Sequence, residues 1–191
     1  MRLWAAILAM AGLAACETGG ARSVTVAGGA VTISGPPGYC VDTAASRDGE
    51  SAAFVLLGAC SALAGQGGGA GLGVLTATVG APQTAQVTGA GDELAAFFQS
   101  DAGRRALSRS GQAGRVQILA IHRQSDALYL HLRDTSPGNG AGLVPEYWRG
   151  MFDLGDRLAT VSVMDFATAP RSDAQGLATA RIFVQRIRSA N

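Results

Sequence analysis

The chain has 191 residues, of which 48% are hydrophobic and 15% charged, so it holds enough apolar matter for one domain with its own core. Its 15 basic and 14 acidic side chains give a formal charge of +1, and removing Arg2 with a leader leaves 14 against 14. That balance excludes a nucleic-acid binder of the usual kind, which needs a basic excess to neutralise phosphates.

Residues 1–15 read as a signal peptide. Arg2 supplies a short positive start, and Leu3 to Leu13 is an unbroken apolar stretch. It falls short of the roughly 20 residues that a membrane-spanning helix needs, so export is favoured over a span. Leu13-Ala14-Ala15-Cys16 then resembles the bacterial lipobox, in which small residues precede a cysteine that receives diacylglycerol. The resemblance implies cleavage before Cys16 and two or three acyl chains on it, enough for stable anchoring at about 0.8 kcal/mol per buried CH₂. The alternative is an ordinary signal peptide whose cleavage site lies before a cysteine. Glu17 stands where an aspartate would favour inner-membrane retention, so the outer membrane is expected. Residues 16–23 form a small, polar, lipidated tether, and 24–191 one domain.

With Cys16 spent on lipid, Cys40 and Cys60 remain as an even pair in an oxidising compartment. A bridge would close a loop of about 20 residues, worth about 3 kcal/mol by chain entropy. A metal pair competes, but neither cysteine has a Cys or His at ligand spacing, and the disulfide is favoured.

The elements follow in chain order. Val24 to Ile33 alternates around Gly28-Gly29 and predicts a hairpin. Gly35-Pro36-Pro37-Gly38 stops it, and Asp42 to Ser51 reads as a polar loop. Ala53 to Leu57 predicts a buried strand, 64–73 a glycine loop without the ending of a phosphate cradle, and Val74 to Val79 another strand. A helix opens with Asp92 as its cap, carries Leu94, Phe97 and Phe98 as an apolar stripe, and restarts at Ser100-Asp101 to run through Arg109. Val116 to Arg123 and Leu128 to Arg133 form a hairpin, and a loop spans Thr135 to Pro145. A second hairpin turns at Gly155-Asp156, so that Trp148, Gly150 and Phe152 share a face with Ala159, Val161 and Val163. A last helix, Asp173 to Arg188, is capped by Ser172, with Leu177, Ala180, Val184 and Ile187 on its apolar face and Phe183 at the border.

The predicted class is α+β: a meandering antiparallel sheet of about six strands, with two main helices in a layer packed on it. That arrangement resembles the Mog1/PsbP-type sandwich, a likeness of fold that implies no function.

No catalytic, cofactor-binding or metal-binding set emerges, and the reading is of a non-enzyme. A three-residue loop at 124–126 would put His122 and His131 on opposite sheet faces; two or four residues would bring them to one face, where a weak metal pair becomes possible. Structural or solvated histidines are favoured. The glycine-flanked serine of a hydrolase elbow is missing, and of the carboxylates Asp153, Asp156 and Asp165 the first two are explained as turn residues. Arg104, Arg105, Arg109 and Arg115 form a positive cluster suited to phosphate groups, or simply a solvated helix face.

The segments 35–42, 54–60, Tyr147-Trp148-Arg149-Gly150 and Leu158 to Val163 resemble an uncharacterised family of alphaproteobacterial lipoproteins. Some members carry a cation-transport ATPase label, whose Asp-Lys-Thr-Gly motif and multiple membrane spans are missing here; the resemblance implies no activity. The expected function is a lipid-anchored, periplasm-facing binding or assembly role, touching the membrane through its anchor, an envelope protein as partner and no nucleic acid. The alternative is a small periplasmic enzyme or ligand carrier with a pocket beside the 64–73 or 135–145 loop.

Overall fold

The computed structural model describes residues 20–49, 51–66, 72–138 and 142–191. The signal peptide, Cys16 and residues 17–19 of the tether lie outside the described residues, as do parts of the two loops at 64–73 and 135–145.

Local chemistry starts the elements where the sequence indicates. Strands β1 (Ser23–Val26) and β2 (Val31–Ser34) form a hairpin whose loop uses positive φ at Ala27, Gly28 and Gly29. β4 (Ala52–Ala59) and β5 (Val74–Gly80) alternate cleanly, with Ala53, Val55, Leu57, Leu75, Ala77 and Val79 buried. β6 (Val116–Arg123) and β7 (Ala127–Asp134) make the third hairpin; β8 (Leu143–Leu154) and β9 (Arg157–Phe166) make the fourth, turning at Gly155-Asp156.

Two strands depart from the sequence reading. β8 begins at Leu143, inside the loop expected over Thr135 to Pro145. Tyr39–Asp48 is strand β3, paired with β4, where a polar loop was expected from Asp42. It is an outer strand with one solvated side, so its polar residues carry no loop signal. A register shift between Asp42 and Arg47 further hides its alternation. Side chains fill that shift: Ala44 and Ala45 N–H both donate to the Asp42 carboxylate, and Ser46 Oγ accepts from Leu56 N–H at 3.1 Å.

β3 to β9 form one antiparallel sheet of seven strands in the order β3-β4-β5-β9-β8-β7-β6, one more than the six expected overall, with β1-β2 as a separate ribbon. The fold class is α+β. The helices are α1 (Cys60–Leu63), α2 (Gly91–Gln99), α3 (Asp101–Leu107) and α4 (Asp173–Arg188). α4 begins with a complete capping box: Ser172 Oγ accepts from Gln175 N–H, and the Gln175 side chain accepts from Ser172 N–H. α3 begins at Ser100, whose hydroxyl accepts from Gly103 N–H. It ends at Leu107, two residues before the expected Arg109. The cap of α2 is Ala90, not Asp92; Asp92 lies inside the first turn and pairs with Arg123.

The helices do not share a layer. α4 and the β1-β2 ribbon cover one sheet face, over Val55, Leu75, Tyr129, Trp148, Phe152 and Val161. α2 and α3 cover the other face, over Leu128, Leu130, Leu132, Tyr147 and Met151. Successive strand residues point to opposite faces, so β7 is buried on both sides. On α2 the buried residues are Ala95 and Phe98, while Phe97 of the expected stripe is 44% exposed. On α4, Phe183 is fully buried and Leu177 only partly, which turns the apolar face by part of a turn.

The long connection from β5 to α2 is held by carboxylates at the β8-β9 turn. Asp153 accepts N–H bonds from Gln86, Val87 and Thr88 at 2.7–3.0 Å, and Asp156 accepts from Gln83 N–H at 3.2 Å. Burial would raise the Asp153 pKa, but the bonds from Thr88, Val87 and Gln86 outweigh it and hold it below the usual carboxylate value. Its stabilising contribution is therefore complete above the unfolded-chain pKa of about 4 and is lost as pH falls through the lower folded value. Asp153→Asn is expected to cost about 1–3 kcal/mol at pH 7. Urea midpoints at pH 7 and pH 3 should show the gap between variant and native chain narrowing at the lower pH.

Candidate functional site

A cavity of about 230 Å³ with mixed chemistry lies at the start of α4. β7 contributes His131, β8 Glu146 and Trp148, β9 Asp165, the β9-α4 connection Arg171, and α4 Asp173 and Gly176. Val144 and Pro145, at the beginning of β8, form part of its wall.

Trp148 is the centre. It pairs with His131 across the β7-β8 ladder, and the two rings stack with centroids 4.6 Å apart and planes 7° from parallel. His122 approaches the same indole from β6 at 5.5 Å, tilted by 45°. Both histidines thus lie on one sheet face. The reason is the loop: Arg123 pairs with Leu128, leaving four residues between them where three would have separated the rings. The two histidines flank an indole. Among the described residues, no group of three or more metal-ligating side chains occurs.

Trp148 is 4% exposed, yet its Nε1–H has no hydrogen-bond partner among the described residues. A buried donor left unpaired costs about 1–3 kcal/mol, so this atom calls for an acceptor. Gly176 of α4 lies against it: a Cβ added there would come within 2.5 Å of Trp148 Cδ1 and 2.8 Å of Nε1. The missing side chain is what lets α4 close over the indole.

The polar wall is strongly ordered. Arg171 donates to the Asp165 carboxylate from Nε at 2.6 Å and from its backbone N–H at 3.1 Å, and to the Tyr39 hydroxyl at 3.1 Å. Both members of the Arg171–Asp165 pair are largely buried. Burial pushes the Tyr39 phenol above its ordinary pKa and Arg171 opposes this only in part, so Tyr39 stays protonated. Asp173 is exposed, with its carboxylate 3.8 Å from His131 Nε2. The cavity therefore sets one buried, unpaired donor beside the exposed carboxylate of Asp173, an arrangement that accepts a neutral oxygen-bearing group more readily than an anion.

Other residues singled out from sequence serve the fold. Cys40 and Cys60 form a disulfide that ties β3 to the start of α1. Of the arginine cluster, Arg104 pairs with Asp101, and Arg109 reaches Asp134 and the Ser136 carbonyl; Arg105 and Arg115 stay exposed. Asp153 and Asp156 both hold the β5-α2 connection, while Asp165 holds Arg171. Sequence reasoning missed Trp148, Arg171, Asp173 and Gly176 as one site. Ser172 marks the helix start and Trp148 the core face, but no spacing joins segments 25 residues apart.

Gly176→Ala is expected to lower stability, although alanine improves helix propensity by about 1 kcal/mol, because overpacking against Trp148 costs about 1–3 kcal/mol. Chemical denaturation would check this, and a stabilised variant would refute the close packing.

No family model matches this chain, and no curated protein or solved structure matches it either.

Proposed function

We propose that this chain is a cell-envelope lipoprotein, anchored by acyl chains on Cys16 after loss of residues 1–15, facing the periplasm from the outer membrane, with a non-enzymatic binding or assembly role toward an envelope protein. The observation that carries this reading is the Cys40–Cys60 disulfide, because a bridged pair belongs to an oxidising compartment. The lipobox-like run ending in Cys16 agrees with the same address. The binding role draws support from where the polar side chains go: Asp134, Asp153, Asp156 and Asp165 are all engaged in holding loops and arginines. The likeness to alphaproteobacterial lipoproteins belongs to this proposal. So does the Mog1/PsbP-type assignment, which draws support from helices packed on a large antiparallel sheet and not from the single helix layer expected.

Mass spectrometry of protein extracted from the host's membranes should find an acylated amino-terminal Cys16, and Cys16→Ser should move the chain to the soluble fraction. An unmodified chain retaining Met1 would overturn the address.

One observation favours a second reading, a ligand carrier. The cavity beside the 135–145 loop carries the unpartnered Trp148 Nε1–H, which suits a small molecule presenting an oxygen. Native mass spectrometry of the host-derived protein would then show a small-molecule adduct that Gly176→Ala diminishes; a bare mass in both would end this reading.

A further inference from the structure

The sheet has two outer strands, and they are finished differently. β3 is closed: Val41 N–H donates to the Ala21 carbonyl at 2.7 Å, and Asp48 accepts from Ala27 N–H in the β1-β2 loop at 2.7 Å. Among the described residues β6 pairs with β7 alone, and its other edge has no strand neighbour. Along Val116–Arg123 stand neither proline nor carboxylate, and the one irregularity is the register shift at Leu119. Leu119 is 37% exposed, Ile118, Ala120 and Ile121 are half-buried, and shallow grooves run beside them between the strand and Gln99 and Arg104 of the α2-α3 layer.

The charge around this edge is net positive. Arg115 and Arg123 bracket the strand, with Arg104 and Arg105 on α3. The nearby carboxylates Asp92 and Asp101 are paired with Arg123 and Arg104, whereas Arg105 and Arg115 have no carboxylate within 4.0 Å among the described residues. A second copy of β6 laid antiparallel on the first would bring Arg115 beside the Arg123 region of its partner, and like charges facing each other across strands are destabilising. The edge therefore disfavours self-pairing and suits an occupant of opposite charge.

We propose that β6 is a docking edge that takes up an extended segment of another protein as an eighth strand, the segment having an apolar, β-branched centre and carboxylates at both ends. Backbone pairing supplies the attachment, Leu119 and its neighbours contact the apolar centre, and Arg115 and Arg123 select the acidic ends. This rests on the binding role proposed above and names its surface.

The test is fluorescence anisotropy with the chain as the host makes it. The probe is a labelled nine-residue peptide of alternating valine and threonine with two glutamates at each end, against the same peptide ending in lysines. The glutamate peptide should bind at least about tenfold more tightly, and the double variant Arg115→Glu, Arg123→Glu should reverse the preference. Leu119→Pro should abolish binding while leaving the fold intact, because Leu119 sits at a register shift and has no partner on β7. Should that variant fail to fold, the charge reversal decides by itself. Equal affinity for both peptides, binding of neither, or an unchanged preference in the charge variant would overturn the proposal. So would a concentration-dependent dimer, which would make a second copy the occupant. Because the measurement does not depend on the lipid, a failed anchor and a failed docking edge give different results.

Discussion

The register of the β8-β9 hairpin is the constraint on which the rest of this structure depends. Gly155 adopts a φ of 61°, a conformation that costs little without a Cβ, and so allows a two-residue turn that sets Leu154 opposite Arg157. From there the ladder places Trp148, Gly150 and Phe152 beside Val163, Val161 and Ala159 on one face, and Tyr147 and Met151 on the other. A slip of one residue would send the indole to the opposite core and Met151 under α4. The same two strands lie centrally, so their register propagates through β5 on one side and β7 on the other.

Two cores follow from that alternation. The larger lies between the sheet, α4 and the β1-β2 ribbon; the smaller lies under α2 and α3. Small residues permit the closest approaches. Gly176 lets α4 lie on Trp148, and Gly103 lets α3 fold back on α2, where a Cβ would come within 2.1 Å of the Phe97 carbonyl oxygen. Two strand glycines serve packing more than turning: Gly150 faces the Tyr129 ring and Val161, and Gly80 faces Thr84. The abundance of glycine in the composition thus has a partly structural origin, distinct from loose loops.

The candidate cavity and the open edge stand at different places on this frame. The cavity lies where α4 begins, and its polar wall is held because Arg171 bonds at once to β9, β3 and α4. The open edge lies on β6, at the side of the sheet that α4 leaves bare. Ordered polar groups around an unpaired donor suit a small molecule, whereas a row of unpaired backbone groups suits a polypeptide. The two surfaces do not compete.

Sequence by itself determined what depends on neighbours along the chain. Ser172 and Gln175 specify the start of α4, Ser100 specifies the break between the middle helices, Gly155-Asp156 specifies a turn, and the alternation of β4, β5, β8 and β9 specifies their buried faces. The two cysteines left in the domain could be paired without a structure because no third competes for them. Tertiary structure alone decided the rest. An outer strand such as β3 has a solvated side and a register shift that breaks its alternation, so its residues read as loop. The face each helix covers depends on handedness of connections that local pattern does not encode. One extra residue in the 124–127 loop moved His131 onto the same side as His122. Trp148, Arg171 and Gly176 meet only because two distant segments cross, and a pattern read along the chain carries no trace of a crossing.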